Sequence, residues 1–207
     1  MTEINLPLIL LAALLAGASP GPATLTIAGT SMAAGRRAGL AVASGVTTGS
    51  FMWSVSAAFG LGAIMLANVW LFEIVRYAGA AYLGWLAIKS ARAAWAGTTL
   101  NVPSVGMKSM RGHYAKGLGL HLTNPKAILF FGALYSVGVP PGTPATDLVT
   151  VILAVGALSF TVFHGYAFIF SSAPMMQAYT RAKRAFETAF AIFFGAAALR
   201  ILTARLV

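Results

Sequence analysis

Apolar runs much longer than an ordinary buried helix dominate this chain. Residues 4–35 contain no charged side chain, and neither do residues 38–72. Because a helix needs about 20 apolar residues to cross a membrane, this pattern predicts membrane-spanning helices. Further apolar runs predict helices at residues 71–95, 114–137, 148–172 and 185–204, so six transmembrane helices are expected.

Two stretches interrupt the apolar pattern. Residues 19–22 read Ser-Pro-Gly-Pro, and residues 123–126 read Thr-Asn-Pro-Lys. A proline inside a helix removes a backbone hydrogen bond, and membrane proteins tolerate irregular backbone where it lines a cavity. Broken helices in corresponding positions of two halves are typical of a transport site. The predicted substrate-binding residues are Ser19, Pro20, Gly21, Pro22, Thr123, Asn124, Pro125 and Lys126.

The positions of these breaks predict an internal repeat. Each break lies in the first helix of a group of three, which places one repeat at residues 1–97 and the other at 113–207. A polar linker at residues 98–112 joins them. Three crossings per repeat is an odd number, so the second repeat must insert upside down relative to the first. We therefore expect an all-α integral membrane protein built from two inverted three-helix repeats.

Composition supports the membrane class. The chain has 207 residues, of which 58% are hydrophobic and 9% charged, whereas soluble domains carry about 25% charged residues. The net charge of +10 would suggest a nucleic-acid partner in a soluble protein. Here the basic residues cluster at predicted helix ends, so no nucleic-acid partner is expected. The chain has no cysteine, which excludes disulfides and thiolate metal sites.

The basic residues also predict orientation. Three of them, Arg76, Arg200 and Arg205, lie near one side of the predicted bundle. The other side is richer in positive charge and is therefore expected to be cytoplasmic, with both termini outside. Its residues are Arg36, Arg37, Lys89, Arg92, Lys108, Arg111, Lys116, Arg181, Lys183 and Arg184.

Lys126 is the single charged residue between residues 117 and 146. A charge at membrane depth costs about 3 kcal/mol, and Lys126 lies roughly 18 Å along its predicted helix, too deep for easy snorkelling. One reading is recognition of a carboxylate, aided by the positive end of a half-helix; the alternative is an internally paired lysine. Asn124 supplies a donor and an acceptor for a zwitterion. Carbonyls near residues 16–18 need partners, for which a ligand, water or Thr24 are candidates.

The other polar residues support weaker hypotheses. His164 is a candidate proton relay, or a neutral, hydrogen-bonded histidine. His113 and His121 share a helix face, but without nearby carboxylates or cysteines no metal site is expected. Gly45 and Gly49 form a GxxxG pattern that indicates close helix packing. The sequence contains no Walker loop, so ATP hydrolysis is not predicted. It also contains no Ser-His-Asp arrangement, and we expect neither enzymatic activity nor a cofactor.

The chain resembles the LysE/RhtB-type translocators, which are bacterial amino-acid exporters. Four segments carry the resemblance: residues 19–22, 35–40 (Gly-Arg-Arg-Ala-Gly-Leu), 78–85 (Ala-Gly-Ala-Ala-Tyr-Leu-Gly-Trp) and 124–127. The resemblance implies a multi-pass protein of the bacterial inner membrane in which the two proline motifs face each other. It also implies proton-driven export of amino acids or related small carboxylate metabolites. The site would be formed by Pro20, Gly21, Pro22, Asn124, Pro125 and Lys126.

One departure from the family pattern concerns proton coupling. The family often has Asp or Asn after the first motif, where this chain has Ala23. The four acidic residues are predicted at helix ends, which opposes coupling through a deep carboxylate and draws attention to His164. These residues are Glu3, Glu73, Asp147 and Glu187.

Two other functions compete with amino-acid export by alternating access. An ion or metal exporter of the same superfamily is one, although a buried cation without a deep carboxylate opposes the binding of metal cations. A non-transporting membrane scaffold is the other, although it would leave the paired proline breaks unexplained. The expected partners are a small-molecule substrate and the lipid bilayer, and the small-residue helix faces permit a homodimer.

Overall fold

The chain folds into helices throughout the part that has been described. A computed structural model describes residues 4–19, 21–67, 69–96, 109–140 and 142–203. Within these ranges there are eight helices and no strand, which confirms the all-α fold class. The helices are α1 (Leu6–Ala18), α2 (Pro22–Ala34), α3 (Arg36–Ala67), α4 (Val69–Ala96), α5 (Met110–Leu122), α6 (Pro125–Gly138), α7 (Ala145–Ile169) and α8 (Ala173–Thr203).

Both predicted breaks are present. The first apolar run forms α1 and α2, of 13 residues each, and the fourth forms α5 and α6, of 13 and 14 residues. In each case the second half-helix begins with a proline, Pro22 or Pro125. Proline suits this position because its fixed φ matches the helix and the first N–H has no intrahelical partner. The prolines therefore begin new half-helices.

The last helix begins earlier than predicted. Helix α7 ends at Ile169, and α8 already begins at Ala173. Consequently Arg181 and Arg184, which were predicted in a turn, lie inside α8, and Pro174 belongs to its first turn, where proline is tolerated. The prediction that Glu187 lies at a helix end is also wrong, because it lies mid-helix and is buried.

The end of the predicted linker overlaps a helix. Helix α5 begins at Met110, inside the predicted linker at residues 98–112, because Ser109 caps it by accepting a hydrogen bond from the Gly112 N–H at 3.1 Å. A serine in this position satisfies one of the free N–H groups of the first turn. Residues 97–108 lie outside the described ranges.

Length and apolar composition identify fewer membrane spans than the sequence analysis predicted. Among the described residues, Ala145–Ile169 qualifies alone, and Leu6–Ala18 with Pro22–Ala34 qualifies as a pair bent by 52°. Four of the remaining helices depart from a simple long apolar helix for visible reasons. Helices α5 and α6 are short halves, and α4 and α8 carry several charged residues.

The long helices pack in antiparallel pairs. Between α3 and α7, Ser50 Oγ lies 3.2 Å from Ser159 Oγ, and Ser44 Oγ lies 3.1 Å from His164 Nε2. Residue numbers rise along α3 as those of their partners fall along α7, so the two helices run in opposite directions. Helices α4 and α8 do the same, since Ala87 packs against Gly195 whereas Trp95 lies beside Arg184.

Two buried clusters hold these pairs around the half-helices. The larger includes Phe190 and Phe194 of α8 with Phe130 and Phe131 of α6. The smaller joins α2, α3 and α7 through Ile27, Val42, Val46 and Phe163, among others. The half-helices therefore pack against the long helices, with Ser19 of the first break and Asn124 of the second buried.

Glycines allow α3 and α5 to pack backbone against backbone. A methyl group on Gly117 of α5 would overlap the carbonyl oxygen of Val42, and one on Gly45 would overlap that of Tyr114. A methyl group on Gly49 would lie 3.0 Å from the Cβ atom of His121. The close helix packing predicted from the GxxxG pattern is thus confirmed.

We expect Gly117→Ala to destabilise the protein, because its methyl group overlaps backbone, which cannot move aside as a side chain can. Overpacking of this kind costs about 1–3 kcal/mol. Thermal unfolding in detergent would show a Tm several degrees below that of the wild type. Gly119→Ala is the matched control, since that position of the same helix has no neighbour within 4 Å; equal Tm values for both variants would contradict the packing described.

Candidate functional site

A cavity lies where the two breaks meet. The space inside it that a water-sized molecule can occupy is about 50 Å³, so the cavity is narrow in this conformation. Ser19 and Gly21 line it from the first break, and Asn124 and Lys126 from the second. Helices α3 and α7 complete the wall. Four of the eight residues predicted from sequence are therefore brought together at one cavity.

The first break is stabilised by its own hydroxyl groups. Ser19 Oγ donates to the carbonyl oxygen of Ala16 at 3.1 Å. Thr24 Oγ1 accepts a hydrogen bond from the Gly21 N–H at 3.0 Å and lies 3.3 Å from the Ser19 carbonyl oxygen. Thr24 was one of three candidate partners for the carbonyls of residues 16–18, but the carbonyl oxygens near its hydroxyl group are those of Ser19 and Gly21. Both hydroxyl-bearing side chains are buried, so these bonds replace contacts with water.

A tyrosine from a distant helix completes this arrangement. Tyr166 of α7 donates its hydroxyl proton to the Ala18 carbonyl oxygen at 2.6 Å. The sequence analysis expected this carbonyl to need a partner but did not identify Tyr166. The two residues are far apart in sequence, and a tyrosine in an apolar helix gives no local sign of its partner. Packing of α1 against α7 brings them together.

The second break is organised by Asn124 and Lys126. Asn124 caps α6, and its Oδ1 accepts a hydrogen bond from the Lys126 N–H at 3.0 Å. The Lys126 side chain extends across the cavity, and its Nζ donates to Ser19 Oγ on the first break. One hydrogen bond thus connects the two motifs. It places an ammonium group at the centre of the bundle, near the N-terminus of a half-helix.

Two of the other predicted residues, Thr123 and Pro22, do not line the cavity. Thr123 is exposed, and its hydroxyl donates to the Gly119 carbonyl oxygen at 2.8 Å. Pro22 is exposed at the start of α2, and Pro125 begins α6. Pro20 lies outside the described residues. Among these, the structure assigns Pro22 and Pro125 a place at the beginning of each second half-helix.

His164 lies away from the cavity, between α7 and α3. Its Nδ1 is 2.9 Å from the Phe160 carbonyl oxygen, and its Nε2 is 3.1 Å from Ser44 Oγ. A carbonyl oxygen only accepts, so Nδ1 carries a hydrogen. Ser44 Oγ can either donate to Nε2 or accept from it. The carbonyl oxygen of Leu40 is a second acceptor for the Ser44 hydroxyl group. Both ring nitrogens of His164 thus have hydrogen-bond partners, as expected of a structural histidine. Its role as a proton relay stays a prediction.

The charge balance of the cavity is positive. Among the described residues, no carboxylate lines it. Lys126 supplies the positive charge, and the other described residues of the lining include no second lysine or arginine. The apolar part of the wall comes from aromatic rings such as Phe130 and Phe163. Such a site favours a small molecule with a carboxylate or carbonyl group over a metal cation.

His121 belongs to this cavity, although the sequence analysis did not place it there. It is buried, with 5% of its surface exposed, and lines the cavity one turn before Asn124. Neither ring nitrogen has a hydrogen-bond partner among the described residues. The sequence contained one sign of this position: His121 lies three residues before Asn124, which is close to one helical turn.

The geometry defines a class of protein. A cavity that contains a lysine, an asparagine and serines at the meeting point of two interrupted helices is typical of a membrane transport protein. The chain belongs to the LysE type translocator family, whose family model matches residues 14–205. The resemblance inferred from the four motifs is thereby confirmed, as is the prediction that the protein is a membrane transporter and not an enzyme.

Named relatives extend this comparison. The chain is similar to the homoserine/homoserine lactone efflux protein of Salmonella typhimurium, with 33% identity over 76% of each chain. It is also similar to the threonine efflux protein of Escherichia coli, with 30% identity over 79% of this chain and 80% of the relative. No solved structure matches the chain.

We expect Tyr166→Phe to destabilise the first break, because the Ala18 carbonyl oxygen loses its donor while remaining partly buried. An unsatisfied buried acceptor costs about 1–3 kcal/mol. Thermal unfolding in detergent would show a lower Tm than for the wild type. Tyr114→Phe is the control: it also removes a tyrosine hydrogen bond, but an exposed one to Thr48. An equal or larger loss in the control would contradict the role given to Tyr166.

Proposed function

We propose that this protein is a secondary active transporter that exports amino acids or related small carboxylate metabolites from the cytoplasm by proton-coupled alternating access. The observation that carries the proposal is the ammonium group of Lys126, held in a central cavity between two broken helices. A buried cation beside a half-helix N-terminus is a suitable partner for a carboxylate.

The rest of the cavity supports a small polar substrate. Asn124 offers amide hydrogen-bonding groups, and the wall also contains the hydroxyl groups of Ser50 and Ser159, which bond to each other. The relatives named for homoserine, homoserine lactone and threonine efflux suggest solutes that combine a carboxyl or lactone group with a hydroxyl or amino group. The cavity chemistry is consistent with all of these.

The competing functions receive less support. No group of three or more metal-ligating side chains occurs among the described residues, and the cavity cation disfavours metal ions. Metal resistance conferred by the intact protein and lost with Lys126→Met would nevertheless favour a metal exporter. A membrane scaffold would be favoured by the absence of any solute flux together with a stable partner recovered in detergent.

The order of the elements supports six crossings arranged as two inverted repeats. A broken helix followed by two long helices occurs twice, and α3 with α7 and α4 with α8 pack antiparallel. Trp70 and Trp95, at opposite ends of α4, are 81% and 89% exposed. Indole rings favour the two membrane interfaces, so α4 has the anchors of a spanning helix. A homodimer in the bacterial inner membrane remains part of the proposal.

The loops support a common cytoplasmic side. Arg36, at the start of α3, donates its Nε–H to Ser171 Oγ at 3.1 Å. This contact joins the turn after α2 to the turn after α7, as expected if both lie on the same side. Arg37 is exposed next to it. Under the positive-inside rule this end faces the cytoplasm, and both termini face outward.

We expect Lys126→Met to lower transport by about ten- to a hundredfold, because a hydrogen bond to a charged group contributes about 1.5–3 kcal/mol. The assay is efflux of homoserine or threonine from loaded proteoliposomes with an acidic outer buffer. Lys116→Met is the matched control, since it removes a partly buried lysine of α5 that does not line the cavity. Wild-type efflux by well-inserted Lys126→Met protein would refute the role of Lys126.

We expect single-cysteine variants to report the proposed orientation, because the natural chain has no cysteine to mask the signal. In intact cells, an impermeant thiol reagent should label Thr146→Cys, at the start of α7, and spare Arg37→Cys. Arg37→Cys should become labelled after permeabilisation. Both native side chains are exposed, so the reverse labelling pattern would show that the orientation is wrong.

A further inference from the structure

We propose that the neutral imidazole of His121 binds the side-chain hydroxyl group of the exported amino acid and so selects hydroxyl-bearing substrates over apolar ones. The inference rests on the proposed export function and adds the residue that sets its specificity. It begins from a buried ring in the cavity wall, neither of whose nitrogens has a hydrogen-bond partner among the described residues. Buried polar groups in folded proteins are nearly always bonded, so the ring points to a ligand.

The hydroxyl groups around this ring are engaged within the protein. Ser19 Oγ accepts a hydrogen bond from Lys126 and donates one to a helix carbonyl oxygen. The hydroxyl oxygens of Ser50 and Ser159 lie 3.2 Å apart and bond to each other. A substrate can therefore bond to the His121 ring without displacing any bond that the described part of the protein makes to it.

The chemistry of the ring matches an uncharged polar group. Burial disfavours a charged imidazole, and the cavity already holds the ammonium group of Lys126 without a carboxylate among its described lining residues, so His121 stays neutral. A neutral imidazole has one N–H donor and one acceptor nitrogen. A hydroxyl group likewise both donates and accepts. An ammonium group only donates and is repelled by Lys126, so it suits this position less well.

Packing holds this ring in place. Its edge meets the ring of Phe163 of α7, with the centroids 5.8 Å apart and the planes at 69°. On the side of α3, a methyl group on Gly49 would lie 3.3 Å from the Cδ2 atom of His121, so the imidazole fills the space that this glycine leaves. A polar group held in a fixed position discriminates strongly, because a substrate without a hydroxyl group leaves it unpaired.

A hydroxyl-bearing amino acid then finds a complementary partner for each of these two groups. Its carboxylate is attracted to the ammonium group of Lys126 on α6, and its side-chain hydroxyl group bonds to His121 on α5. Both residues line the cavity, one on each side of the second break. Homoserine and threonine both combine a carboxylate with such a hydroxyl group. The narrow cavity holds little water, so the wall itself must supply these bonds.

The test compares the exchange of homoserine in proteoliposomes with that of 2-aminobutyrate, which has the same carbon chain and charges but no hydroxyl group. For the wild type we expect a half-saturating concentration about tenfold lower for homoserine. His121→Leu breaks no hydrogen bond of the described structure, so it should insert normally and bring the two concentrations within about twofold of each other. His121→Asn keeps a donor and an acceptor and should retain a preference of about threefold or more.

His113→Leu is the matched control, because His113 is a buried histidine of the same helix that does not line the cavity. It should keep the wild-type preference for homoserine. The inference is overturned if the wild type exchanges both amino acids equally, if His113→Leu loses the preference, or if His121→Leu either keeps it or loses all exchange. Equal exchange by the wild type would leave the export function standing, whereas exchange of neither amino acid would count against that function as well.

Discussion

The hydrogen bond from Lys126 to Ser19 is the contact on which the site depends. It connects residues 107 positions apart, one in each proline motif, and it holds a positive charge inside an apolar bundle. Neither break alone would explain that charge. The first break supplies a hydroxyl group whose other bond satisfies a helix carbonyl, and the second supplies the cation and its capping amide. The cavity exists because these two irregular segments meet.

Much of this arrangement could be predicted from local sequence. The apolar runs indicated helices, and the two proline motifs indicated interruptions at the correct positions, because proline acts on its own backbone and on the preceding turn. Lys126 could be identified as a candidate site residue because a lone charge in an apolar run is energetically costly and therefore indicates a function. These signals depend on a few neighbouring residues, which is why they could be read without knowing the fold.

What the sequence could not indicate depends on packing between distant elements. Tyr166 donates to a carbonyl oxygen on another helix, and His121 stands out because its ring nitrogens have no hydrogen-bond partner among the described residues. The start of α8 was missed for a different reason: Arg181 and Arg184 resemble a basic turn, although arginine is also a good helix former. Glu187 was misplaced with them, so its burial mid-helix was not foreseen.

The glycine contacts attach the two half-helices of the second break to different long helices. Helix α5 is joined closely to α3 through Gly117 and Gly45, whereas α6 packs against α4, where a methyl group on Gly79 would lie 3.1 Å from Ala133. The two halves of one broken helix are thus attached to different long helices. Any rotation of those helices against each other would bend the chain at the break and change the separation of His121 from Lys126. A molecule bound to both residues would therefore oppose rotation of α3 against α4.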